Sequence, residues 1–118
     1  MSPVHRADFG AAQDAWEVVD VESVLETLGD ADVAFRELVR VPTLLARVYR
    51  LAAGSRDMQG PHDEDEVYYV LSGRARIRVG DEVRDVKPGS LLYVKAATDH
   101  VFFEIEEDIT LLVLFAVG

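Results

Sequence analysis

Much of the chain is written in a period of two. Ala75, Ile77 and Val79 alternate with Arg74, Arg76 and Arg78, which sets apolar side chains on one face of an extended segment and guanidinium groups on the other. Gly80-Asp81 supplies a hairpin turn, Glu82 to Val86 returns, and Pro88-Gly89 turns again. Val67 to Leu71 is rich in Val and Tyr and ends at Ser72-Gly73, while Leu91 to Val94, His100 to Ile105 and Ile109 to Val117 read as later strands. Phe35 to Val41 and Leu44 to Leu51 are extended segments separated by Pro42, and Gly54 opens a loop. One stretch follows a different period. Between Asp20 and Gly29 the residues Val21, Val24, Leu25 and Leu28 share a helical face, with Asp20 as N-cap and Gly29 as the stop. Short strands with turn signals between them predict an all-β sandwich or barrel with one short N-terminal helix.

Residues 1–15 lack either period and read as a flexible arm, leaving 16–118 as a single domain. The composition agrees: 118 residues, 49% hydrophobic and 29% charged, suit one soluble globular unit. There is no cysteine, so disulfides, thiolate zinc sites, iron–sulfur clusters and cysteine nucleophiles are all excluded. Any metal must take nitrogen and oxygen ligands. The net charge of −10 is the wrong sign for a phosphate backbone, so no nucleic-acid partner is expected, and the Arg74, Arg76, Arg78 stripe reads as a solvated face. No apolar run approaches the roughly 20 residues of a membrane helix. Met1 to Gly10 carries His5, Arg6 and Asp8 without an apolar stretch, so no secretory leader is expected and the cytoplasm is the expected location.

The segment with chemistry in it runs from Gly60 to Gly73. His62 and Glu66 flank an acidic turn, Asp63-Glu64-Asp65, which reads as solvated. Beyond the turn, alternation puts Glu66, Tyr68 and Val70 on one face and Val67, Tyr69 and Leu71 on the other. His100 opens a later strand after Ala96-Ala97-Thr98-Asp99. Two imidazoles and a carboxylate form a ligand set used by open zinc sites and by non-haem iron(II) oxygenases. The plainer readings are an exposed turn histidine, a satisfied histidine within the barrel and a continuation of the acidic run. Tyr68 faces the cavity if Glu66 does, either to hydrogen-bond a ligand or to pack. Arg47 and Tyr49 share one face of an early strand, and with one of its two faces wet, the outer one suits Arg47.

At these residues the chain resembles the cupin superfamily. Its first motif is glycine, five residues, His-x-His, three or four residues, Glu, six residues, Gly. Here Gly54 is followed by five residues, then Gly60-Pro61-His62, three residues, Glu66, six residues and Gly73. Its second motif is glycine, five residues, Pro-x-Gly, two residues, His, three residues, Asn. Here it reads Gly89, five residues, Lys95-Ala96-Ala97, two residues, His100, three residues and Glu104. The departures are Gly60 for the first histidine, Lys95-Ala96-Ala97 for Pro-x-Gly, and Glu104 for the asparagine.

The resemblance implies a double-stranded β-helix, or jelly-roll barrel. It also implies a divalent metal ion (zinc, iron, manganese or nickel) at His62, Glu66 and His100, with Gln59, Asp57, water or a substrate atom in the fourth position. Tyr68, Phe102 and Met58 are then expected to line a pocket for a small organic anion or a carbonyl or phenolic compound, with Tyr68 and Glu104 as acid–base helpers. Relatives of this kind include dioxygenases, isomerases, lyases and cyclases. A non-catalytic module that binds or senses a small molecule or metal is the alternative. Histidine ligands must be neutral, so metal affinity is expected to fall below about pH 6. Residues 16–41 are expected to pair two copies into a homodimer.

Overall fold

The computed structural model describes residues 15–57 and 62–117. The expected N-terminal arm, apart from its last residue, lies outside the described residues. In chain order the elements are helix α1 (Val21–Leu25) and strands β1 (Val33–Val41), β2 (Leu44–Leu51), β3 (Glu66–Val79), β4 (Glu82–Val86), β5 (Leu91–Val94) and β6 (His100–Ala116). All the pairings are antiparallel, in the order β1-β2-β6-β3-β4, with β5 also on β3. This is the all-β barrel with one short helix that the alternation predicts.

Four predicted strands turn out to be two. Val67 to Leu71 and Ala75 to Val79 are halves of β3, and His100 to Ile105 and Ile109 to Val117 are halves of β6, apart from the last residue. Both strands bend through irregular pairing near their middles. Gly73 sits at φ 94°, where a Cβ would collide with the Asp108 carbonyl oxygen. Glu104 sits at φ 46°. Bulges of this kind add a residue and reverse which side chains face inward. On β3 the buried residues are Glu66, Tyr68 and Val70 before the bend, Gly73 within it, and Ala75 and Ile77 after it. On β6 they are His100 and Phe102 before, and Ile105, Ile109, Thr110, Leu111, Val113 and Phe115 after. The bends let β5 pair with the first half of β3 and β4 with the second.

The inner face of the sheet holds the main core, with Tyr49 and Leu51 packed among Tyr68, Val70, Phe102, Ile109 and Leu111. A smaller cluster lies on the outer face, where Leu28 and Leu38 meet Ala46 and Val48 of β2, with Val21, Val24 and Leu25 of α1 packed on it. Five residues are too few to stay helical in water. Here the turn is held by the Asp20 carboxylate, which accepts from the Ser23 N–H and hydroxyl, and by partial burial of its apolar side chains.

α1 therefore covers the outside of β2 while the barrel core covers the inside. The expectation of a wet face on β2 fails. Arg47 shares the inner face with Leu45, Tyr49 and Leu51, and is half-buried. Among the described residues, no helix is long and apolar enough to cross a membrane.

Candidate functional site

Glu66 opens β3 and lies across from Phe115 of β6, while His100 opens β6 across from the last residue of β3. His62 comes from the loop ahead of β3. Its carbonyl accepts from the Ala97 N–H at 2.6 Å, tying it to the loop that delivers His100. Asp65 adds two ties, its carboxylate accepting from Ala96 N at 2.8 Å and its carbonyl from Ala116 N at 3.1 Å. The acidic turn is thus partly a clasp rather than simply solvated.

The three side chains meet inside the barrel. Glu66 is 2% exposed, and its Oε1 stands 3.6 Å from His100 Nε2 and 4.0 Å from His62 Nε2. The two imidazole centroids are 6.3 Å apart. His100 Nδ1 lies 2.9 Å from the Thr98 carbonyl, which can only accept, so Nδ1 carries a hydrogen. In the neutral ring Nε2 is then a lone pair directed inward, 3.0 Å from the Tyr68 hydroxyl. His62 Nε2 and Glu66 Oε2 are buried and have no hydrogen-bond partner among the described residues. As they stand, no three His, Asp or Glu side chains among the described residues close into a coordination shell.

The other candidates are placed as follows. Tyr68 is fully buried and meets the Phe102 ring near-perpendicularly at 5.2 Å. Phe102 is 1% exposed, so it is sealed in the core rather than forming an open wall. Met58, Gln59 and Gly60 lie outside the described residues. Asp57 braces the core, accepting from the Tyr49 hydroxyl and from the Phe102 N–H, both at 3.0 Å. Burial first, and then the Asp57 charge and hydrogen bond, push the Tyr49 phenol well above its usual range. Glu104 is a correction. Strict alternation from His100 aims it inward, but its own left-handed backbone turns it out, where it is 61% exposed and 3.6 Å from Arg76.

Two neighbours of the site escape a reading of the sequence. The Phe115 ring meets His62 at 5.1 Å and 71°, and the Arg47 guanidinium lies over Phe115 at 4.6 Å and Phe35 at 5.1 Å. Alternation within β6 puts Phe115 on a face with Val113, but only strand register puts it beside Glu66. A separate groove of about 470 Å³ lies between β4 and β5, bounded by Ile77, Arg84, Val86 and Tyr93, and none of the three central residues lines it.

Residues 47–117 match the family model of the cupin domain, which is more than half of the chain and contains all three central residues. The chain belongs to the cupin family. This cupin is 45% identical over 85 residues to the uncharacterized protein SCO3923 of Streptomyces coelicolor, a span of 72% of this chain and 81% of that one. Among solved structures it resembles TT1209 from Thermus thermophilus, with TM-score 0.74 and 27% identity over 86% of this chain and 98% of the other. It also shares the fold of the DMSP lyase DddQ from Ruegeria pomeroyi, with TM-score 0.66 and 23% identity over 72% of this chain and 47% of that one. At that identity the likeness to the lyase is one of fold alone.

Proposed function

We infer that this cupin holds a divalent cation between His62, Glu66 and His100, and that its barrel binds and transforms a small oxygenated organic molecule. The observation behind this reading is a pair of buried polar atoms without a partner among the described residues, His62 Nε2 and Glu66 Oε2, beside His100 Nε2, which meets only the Tyr68 hydroxyl at hydrogen-bond distance. A buried carboxyl oxygen left without a donor or a cation is costly, so Glu66 Oε2 calls for a partner. Donors bound to one cation at about 2.0–2.2 Å stand roughly 3–3.5 Å apart. The separations of 3.6 and 4.0 Å need only a small closure of the side chains.

When bound, such a cation acts as a Lewis acid toward a ligand oxygen or lowers the pKa of a water. The chain supplies the rest. Thr98 fixes the tautomer of His100, and Phe102 and Val113 keep the interior dry; the Tyr68 hydroxyl, which donates to His100 Nε2, would be freed to donate to a ligand oxygen once a cation took that lone pair. The fold shared with a lyase supports bond-breaking chemistry only as a precedent for the barrel. A second reading, a non-catalytic binding module, is favoured by the Tyr68 contact that already engages His100 Nε2.

Titration calorimetry of metal-stripped protein with zinc, manganese, nickel and iron(II) tests the cation. One equivalent is expected to bind, and His62→Ala or Glu66→Gln is expected to weaken it at least about tenfold, since even outer-shell changes cost that much. Unchanged affinity in both variants would refute the assignment. Incubating loaded protein with a panel of carbonyl and phenolic compounds separates the readings: product favours the enzyme, and binding without product favours the module. We also propose a homodimer, because β1 pairs only with β2 among the described strands and presents exposed Val33 and Phe35.

A further inference from the structure

The inward placement of Arg47 narrows the ligand class. In the register of the sheet, Arg47 of β2 faces Val113 of β6, which faces Tyr68 of β3; the adjacent inward row is Leu45, Phe115 and Glu66. Arg47 and Tyr68 are thus two strands apart, with backbones about 10 Å from each other. The guanidinium lies against two aromatic rings, Phe115 and Phe35, and Phe115 is the ring that meets His62. Ring contact orients a planar guanidinium and leaves its N–H edge for an acceptor in the same plane.

No described residue accepts a hydrogen bond from the Arg47 guanidinium. Its cross-strand neighbour Glu37 has both carboxylate oxygens hydrogen-bonded by Arg40; that bond, and then the charges of Arg40 and Arg47, hold the Glu37 carboxyl below its ordinary range, so Arg47 acts on Glu37 through charge without a hydrogen bond. A half-buried fork of donors, one ring away from a histidine of the central site, is therefore available on the inner face of the barrel.

We propose that Arg47 binds the carboxylate of the barrel's ligand, so that the substrates are small organic acids with a second oxygen directed to His62, Glu66 and His100. This rests on the reading of the barrel interior as the ligand site. The fork matches a carboxylate in a bidentate manner. A single negative charge suits the setting better than a dianion, because Glu37 and Glu66 are close by and the chain carries −10 overall.

Binding of pyruvate, glycolate and benzoate is compared with binding of their amides by ligand-observed NMR, with and without zinc, in the wild type and in Arg47→Gln and Arg47→Lys. At least one acid is expected to bind about tenfold or more tighter than its amide, as a charged bidentate pair warrants. Arg47→Gln is expected to level the two, and Arg47→Lys to lose the preference severalfold. Acid and amide binding alike in the wild type, a preference that survives in both variants, or tighter binding of inorganic phosphate than of any acid would each overturn the proposal. If Arg47→Gln does not fold, Arg47→Lys and the wild-type acid–amide ratio still decide. Zinc affinity is expected to be unchanged in Arg47→Lys. Loss of zinc binding alone, with the acid preference intact, sinks the metal assignment and leaves Arg47 standing.

Discussion

Ala97 takes φ 62° and Glu104 takes φ 46°, on either side of His100. In the second cupin motif these positions are glycine and asparagine, residues that enter the left-handed region at low cost. The motif's residue types there answer a backbone need, and this chain meets it with strained side chains. Ala97→Gly is expected to raise stability by about 0.5–1 kcal/mol, strain relief outweighing the added chain entropy. Urea unfolding checks it, with the midpoint rising at constant slope.

Tyr49 gives a second test at this scale. Its phenol pKa is raised by burial and by Asp57, so the folded protein keeps a proton that the unfolded chain releases near pH 10. Its contribution is whole below about pH 10 and is lost as pH rises from there toward the folded value. Tyr49→Phe is expected to flatten the alkaline limb of stability against pH, while costing about 1–2 kcal/mol at pH 7 because Asp57 loses a donor. Identical alkaline slopes in the two proteins would contradict this. Glu66 and Tyr68 were readable as inward because alternation runs unbroken from the start of their strand. Arg47 was not, because apolar residues occupy both faces of β2 and sequence alone does not say which face a helix will cover.

Among the elements, alternation carried the strands and their turns, and capping residues carried α1. What it left out was the joining of strands across bulges. Gly73 reads as a turn residue after Ser72, yet the chain passes through it without leaving the sheet. The close approach of the Asp108 backbone, contributed by the neighbouring strand, has no trace in the local sequence. The same blindness put Glu104 inside. Gly73→Ala combines a left-handed φ with a backbone collision, and is expected to cost at least about 2 kcal/mol by chemical denaturation. A neutral result would mean that the bulge is not rigid, and that the placement of Glu66 and Ile77 on one face does not depend on it.

At the scale of the molecule, the β3–β6 ladder brings residues distant in sequence to one interior, and spacing in two motifs signalled that meeting. The identity of the ring and the cation beside it, Phe115 and Arg47, depended on register and so appeared only in the fold. Light scattering at micromolar protein is expected to give twice the 13.1 kDa chain mass, and added salt is expected to tighten the pair, since each copy carries −10. A mass of one chain would refute the dimer. The claim on which the functional account turns is that His62, Glu66 and His100 share one cation. X-ray absorption at the zinc edge of zinc-loaded protein tests it most directly. A nitrogen and oxygen shell at about 2.0–2.2 Å with the scattering of two imidazoles is expected, reduced to one in His62→Ala. A spectrum without imidazole scattering, or one that the substitution leaves unchanged, would contradict it.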